Sequence, residues 1–405
     1  MRESSRASIL VVIALAACSK SSSVASGGAP AGLSCSSTTD GGATAASLTA
    51  ALGSAAAGSC VLVTTATYTG SFQVPAGVTL ASENGQQATF TGGTSTEPVI
   101  AIAGGAGSGL WNVDVTGAAG VGVAVRNGAA TISNVTVTGA KSAAFAALCS
   151  GASCLTTAGQ IVIDSSTFVQ SELGIWVSGA LVSMTGGGCT DESTTSLSGG
   201  MGVVVLAGGR VELTNVDVER NSGVGVLIDG AGGTTALIQS STVSNNLDRG
   251  VWAQNLTGTM DNPALSMNAT QIENNKIVGL GAVGSTGIII VGGDIKLTAD
   301  APVVTTLGET DQIGDGAGFF GGSADIKLTN VAITDNARAD GLIDHNIGAI
   351  IIVGGDVVGG SADLLVVVQD SQDMQDVQVP TADLSSVKTP LSVSAPTIPL
   401  ATVLQ

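Results

Sequence analysis

The sequence predicts an all-β solenoid, and three observations carry the prediction. A phrase made of an alternating apolar strand, a polar corner, a Gly and a second apolar strand recurs about every 22 to 30 residues, the period of coils that bury their apolar faces on one another. Its clearest copies begin at Leu213, Leu237, Leu265 and Leu328. Within the copies apolar and polar residues alternate, as in Val113/Val115, Val135/Val137 and Val216/Val218, the signature of a strand buried on one face. Gly, Ala, Ser, Thr and Val dominate, and only 11% of residues are charged, too few Glu and Lys for a helical protein of this size.

Residues 1–17 read as an export signal: Arg2 and Arg6 precede an apolar run from Ala7 to Leu15 that is too short to span a bilayer. The run ends Leu15-Ala16-Ala17-Cys18, which resembles the lipobox of bacterial lipoproteins. That resemblance implies a diacylated Cys18, a membrane partner through the lipid, and, with Ser19 following, sorting to the outer membrane. Residues 18–39 are Ser- and Gly-rich and read as a flexible tether.

Residues 40–58 predict a helix, opened by Asp40 and closed by Gly58, with Leu48 and Leu52 four apart. Short strands follow, divided by Gly and Pro-Ala-Gly turns. A short helix feeding a strand, "TYTG", another strand and a Pro turn resembles the entry of pectin-lyase-like right-handed parallel β-helices. There the helix covers the open end of the stack, which would otherwise expose core and unpaired strand groups. The resemblance spans about Leu48 to Val368 and implies a single-stranded right-handed parallel β-helix of ten to twelve coils, within bounds of 59–370. Residues 371–405 have scattered Pro and no coil rhythm, and read as a non-repeat tail.

Asn221, Asn246, Asn275 and Asn336 recur at one corner of the phrase. They are expected to form a structural ladder, tolerating left-handed backbone and hydrogen-bonding above and below. Trp176, Val204, Leu227 and Trp252 hold the middle position of the second strand in four coils and should face outward. Exposed Trp stacks on sugar rings; a covering loop or tail is the bland alternative. Export permits disulfides. Cys35 with Cys60 would clamp the cap to the first strand, and Cys149 with Cys154 would staple a local loop. Cys189 is then the odd thiol, although its pairing with Cys149 or Cys154 remains open.

The family that shares this fold includes polysaccharide lyases and polygalacturonases, so their chemistry has to be sought. "LIDHN" at Leu342–Asn346 superficially matches a "WIDH" element of the lyases, without their Arg-x-Pro-x-x-Arg. The paired Asp, Gly-His-Gly and Arg-x-Lys of the hydrolases are missing, and His345 is the single His. Asp248, Asp340, Asp344 and His345 are the acid–base candidates, with Asp248 and Asp340 beside the corner Asn as a conceivable pair across coils. Solvated corner residues are the competing explanation. The acidic end, 15 acidic against four basic residues from Asp294 onward, raises calcium, with Glu309, Asp311 and Asp315 as ligands. No toxin-type nonapeptide repeat or EF-hand spacing accompanies them, and no other cofactor is implied.

Loss of residues 1–17 would take the net charge from −18 to −19, which repels nucleic acid and disfavours it as a partner. The expectation is a non-catalytic cell-envelope lipoprotein for adhesion, surface structure or ligand display. The alternative is a carbohydrate-binding or polysaccharide-degrading β-helix protein, with polysaccharide or envelope components as partners.

Overall fold

The computed structural model describes residues 29–385, apart from 31, 85, 194–199, 231, 305–309, 356, 359–363, 370–376 and 379–383. The expected signal segment, Cys18, Glu309 and residues 386–405 lie outside the described residues. Among the described residues the chain winds as a parallel β-solenoid of two sheets, one of 22 strands and one of 14. We call them sheet A and sheet B. A typical coil runs Arg210–Thr214 and Asp217–Glu219 in sheet A, then Val226–Asp229 in sheet B, before Thr235–Gln239 starts the next.

One inward column measures the stack. Val61, Leu80, Leu110, Ile132, Ile163, Met184, Leu213, Ile238, Met267, Ile290, Leu328 and Ile352 pair in unbroken register. Each of these twelve side chains is fully or nearly fully buried, so the stack has about twelve coils, as the period predicted. A second column contains Phe168, Cys189 and Val218. Cys189 is a free thiol filling that core position as a small hydrophobe.

Sheet A bends once per coil at a residue with left-handed backbone: Asn112, Asn134, Ser165, Asn215, Ser240, Ala269 and Asn330 all have φ near +50°. Four of the seven are Asn, which tolerates this region better than most residues. The Asn of the recurring "LTNV" is therefore a bend residue, and Asn134 Nδ2 donates to Asn112 Oδ1 at 2.7 Å.

The N-terminal cap differs in detail from expectation. The helix occupies Ala45–Ser54 and is capped by Thr44 rather than opened by Asp40, because Thr44 and Ser47 form a reciprocal capping box. Asp40 instead ends a strand, Ser37–Asp40, paired in parallel with Ser59–Val63. The expected tether thus becomes structured well before residue 40. Leu48, Ala51 and Leu52 close the end of the core, above an aromatic cluster of Tyr68, Phe72 and Phe90.

Both expected disulfides are present, Cys35–Cys60 and Cys149–Cys154. At the other end the stack runs beyond residue 370. Val377–Gln378 pairs with Ile350–Val353, and Leu384–Ser385 with Leu364–Gln369. These short strands continue both sheets where the sequence shows no rhythm, since backbone pairing needs no particular side chain.

Candidate functional site

The corner between sheet A and sheet B holds the predicted ladder, and all four Asn are fully buried. Asn221 donates its backbone N–H (3.1 Å) and Nδ2 (2.9 Å) to Asn246 Oδ1. Asn246 repeats the pattern onto Asn275 Oδ1 at 3.1 and 2.8 Å. Thr298 takes the next place, and its N–H donates to Asn336 Oδ1. Stacking is as expected, but the left-handed residue is the one before each Asn: Arg220, Asn245, Asn274 and Asp335. That strained residue turns the corner, which leaves the Asn in a position to aim its amide along the stack.

The ladder also explains the Gly of the recurring phrase, a relation the sequence reading missed. Gly202, Gly225, Gly250 and Gly316 lie against Asn Nδ2 atoms. A Cβ on Gly225 would sit 2.7 Å from both Asn246 Nδ2 and Val243 Cγ1. In these four coils the Asn amide fills the space that the Gly leaves open.

Carboxylates terminate the ladder. Glu192 occupies the rung before Asn221; its N–H donates to Asn221 Oδ1, and its side chain accepts from Ser171 N–H. Burial pushes the Glu192 carboxyl up to about 8, against the opposing effect of the Ser171 hydrogen bond. At the far end Asn336 Nδ2 donates to Asp340 Oδ1 at 2.8 Å, and burial raises Asp340 to about 6. Among the described residues Glu192 Oε1 and Asp340 Oδ2 are buried without a hydrogen-bond partner, which suits the protonated form of each acid.

Asp248 and Asp340 do not pair. Asp340 shares a register position with Gly316 and stands three strands from Gly250 along Gly250, Gly279, Gly316 and Asp340, roughly 14 Å at strand spacing. Asp248 lies at the strand edge in an ion pair with Arg249 at 2.7 Å; burial raises its pKa and Arg249 lowers it. Asp344 is 5% exposed on the outer face of sheet B, and its Oδ1 lies 2.6 Å from His345 Nδ1. The adjacent left-handed backbone of His345 turns that ring out at the next corner. Asp344 and His345 are the one pair of acid–base candidates that the fold brings together.

The outer face of sheet B carries a second apolar cluster, separate from the core. Trp176, Val204, Leu227 and Trp252 face outward as expected, but they are buried, Trp176 at 7% exposure and the other three at 0%. They therefore form no exposed sugar platform. Trp252 lies over Gly281 and stacks on Phe320 with centroids 6.1 Å apart. Arg249 covers the Trp252 ring at 4.4 Å. Trp252 Nε1 donates to Gln254 Oε1, and Gln254 Nε2 to Asp229 Oδ2. Where this cluster ends, toward the N-terminus, a cleft of about 230 Å³ opens between Gln73, Ala101, Ala103, Arg126 and Asn127.

Of the calcium candidates, Asp315 is fully buried and ion-paired with Arg338, whose Nε donates at 2.8 Å. The side chain of Asp311, like Glu309 as a whole, lies outside the described residues. Among the described residues no three His, Cys, Asp or Glu side chains gather to hold a metal ion, and no helix is long and apolar enough to cross a membrane.

Residues 103–295 match the family model of a right handed beta helix region. No curated protein matches the chain. Among solved structures, the A-module of the mannuronan C-5 epimerase AlgE4 from Azotobacter vinelandii superposes with a TM-score of 0.55. That match has 12% identity and covers 79% of this chain and 92% of the other. The AlgE6 A-module from the same organism gives 0.46 at 15% identity, covering 84% and 96%. The tailspike gp49 of Acinetobacter baumannii bacteriophage Fri1, a capsular polysaccharide depolymerase, gives 0.47 at 9% identity, covering 82% and 62%. At such identities the likeness is one of fold.

Proposed function

On the premise that this chain is a right-handed parallel β-helix protein, we propose that it is a non-catalytic lipoprotein of the bacterial cell envelope. Cys18 carries the lipid, and the coils form a rigid body for adhesion, surface structure or ligand display at the outer membrane. The observation that supports this reading is the dispersal of the acid–base candidates. Asp340 ends the buried Asn ladder and Asp248 is bound to Arg249. Among the described residues only Asp344 and His345 meet. A hydrolase needs two carboxylates facing one bond, and a proton-abstracting site needs a base beside a charge-stabilising group.

A second reading is favoured by that remaining pair. Asp344 holds a half-exposed His345 by its Nδ1, a carboxylate-oriented imidazole of the kind that serves as a general base toward a polysaccharide. The two readings separate on one assay. The mature protein is incubated with neutral and uronate polysaccharides, with and without calcium, and both chain length and sugar configuration are followed. The scaffold reading predicts no change in either. Turnover that is abolished in His345→Ala and Asp344→Asn establishes the second reading instead. Anchoring is tested by Cys18→Ala, which should move the protein from the membrane to the soluble fraction; unchanged partition rejects it.

A further inference from the structure

One column of the outer face of sheet B runs almost the length of the molecule. Gln73, Ala101, Ala124, Ala146, Trp176, Val204, Leu227, Trp252, Gly281, Gly318, Leu342, Val367 and Ser385 occupy successive strands in register. Side chains here stand away from the core, yet from Ala101 to Leu342 each side chain present is at most 7% exposed. Gln73, one strand further, is exposed. Neighbours in the same sheet, such as Met201 and Val278, flank these side chains, and Arg249 lies over the Trp252 ring, but flanking side chains that stand perpendicular to the sheet do not roof the whole column. The strand Ala301–Val304, paired antiparallel with Thr310–Ile313, adds Val303 and Ile313 to the cluster at one end only. An apolar strip this long needs a cover.

We infer that the cover is the chain's own C-terminal segment, residues 386–405, laid along the column from Leu342 toward Ala101. Three facts point to this occupant. First, the described chain ends at Ser385, in the column itself, so the segment starts at the foot of the strip. Second, its composition fits. Residues 386–405 carry one charge, Lys388, and no acid, in the most acidic part of the chain, with Val387, Leu391, Val393, Ile398, Leu400, Val403 and Leu404 as apolar groups. The internal segments outside the described residues, such as 370–376 (DSQDMQD), are polar. Third, the length fits. Pro390, Pro396 and Pro399 favour extended chain, in which the segment would reach about 60 Å. Eleven strand steps from Ser385 to Ala101 come to roughly 53 Å.

The test uses the full chain with a photoreactive benzoyl-phenylalanine replacing Leu391 or, separately, Leu400. After irradiation, peptide mapping should place both cross-links within the same molecule on sheet B peptides. The Leu391 probe is expected near Trp252 to Leu342, and the Leu400 probe nearer Ala124 to Trp176. Cross-links on sheet A, between molecules, or nowhere would overturn the inference. Capture of the same sheet B peptides by a probe replacing Ser22 would also overturn it, by assigning the cover to the N-terminal segment.

Discussion

Two columns of this molecule are equally dry and reach that state by different routes. The corner ladder of Asn221, Asn246 and Asn275 is polar and inside, and its amides satisfy one another through hydrogen bonds at 2.8 to 3.1 Å. The column from Ala124 to Trp252 is apolar and points outward, and of the contacts within its own coils only Arg249, over the Trp252 ring, lies above it. The ladder is complete in the repeating coil, whereas the outer column depends on chain beyond the repeat. Local periodicity encodes the first arrangement but is silent about the second.

Breaking the ladder should have the largest effect. Asn246→Ala strands the N–H of Asn221 and leaves its Nδ2 only the longer bond to Cys189 O, in a dry corner where a stranded group costs about 1–3 kcal/mol. With the loss of its own bonds to Asn275, we expect a loss of roughly 3–5 kcal/mol, read as a lower urea midpoint. Leu227→Ala tests the other side of the contrast. Under a cover it should cost about 2–4 kcal/mol as a buried truncation. A cost within about 0.5 kcal/mol, the surface value, would show the column to be bare.

Gly225→Ala comes next. Its new methyl meets Asn246 Nδ2 and Val243 Cγ1 at 2.7 Å, so overpacking of about 1–3 kcal/mol is expected. The same change at Gly233, where a Cβ would meet nothing but φ is +81°, separates crowding from backbone strain.

The smallest effect concerns the carboxyl end of the ladder. Glu192 keeps its proton up to about 8 when folded, against an ordinary value of 4.5. Between those values the folded state binds the extra proton, so this group's contribution to stability falls as pH rises from about 4.5 to about 8. Glu192→Gln should therefore gain stability relative to the parent at pH 9 compared with pH 5. An equal midpoint difference at both pH values would contradict the assignment.

These contrasts also mark how far the sequence was legible. Period, alternation and corner Asn were readable because each is repeated, and a repeated residue reports the same contact each time. The stack, the ladder and the outward direction of Trp176 and Trp252 followed from them. The Thr44 cap and the strand Ser37–Asp40 were missed because each occurs once, where Asp40 offered an equally good cap. The Asn–Gly packing was missed because both residues have local explanations that conceal their contact. The conceivable Asp248–Asp340 pair does not form, because sequence distance from a corner Asn does not fix register. Asp340 replaces a ladder-facing Gly, whereas Asp248 lies outside that column. Burial of the Trp residues was invisible because it depends on what lies above the sheet.

The most direct measurement is tryptophan emission of the chain from Cys18 to Gln405 and of the same chain terminated after Ser385, with the β-sheet circular dichroism compared alongside. Trp111, half-buried on sheet A, serves as the internal reference. If the last twenty residues roof the outer column, truncation leaves the sheet signal intact. It should also shift emission to the red and make Trp176 and Trp252 accessible to acrylamide. An unchanged spectrum and unchanged quenching, with the sheet signal retained, would contradict the account.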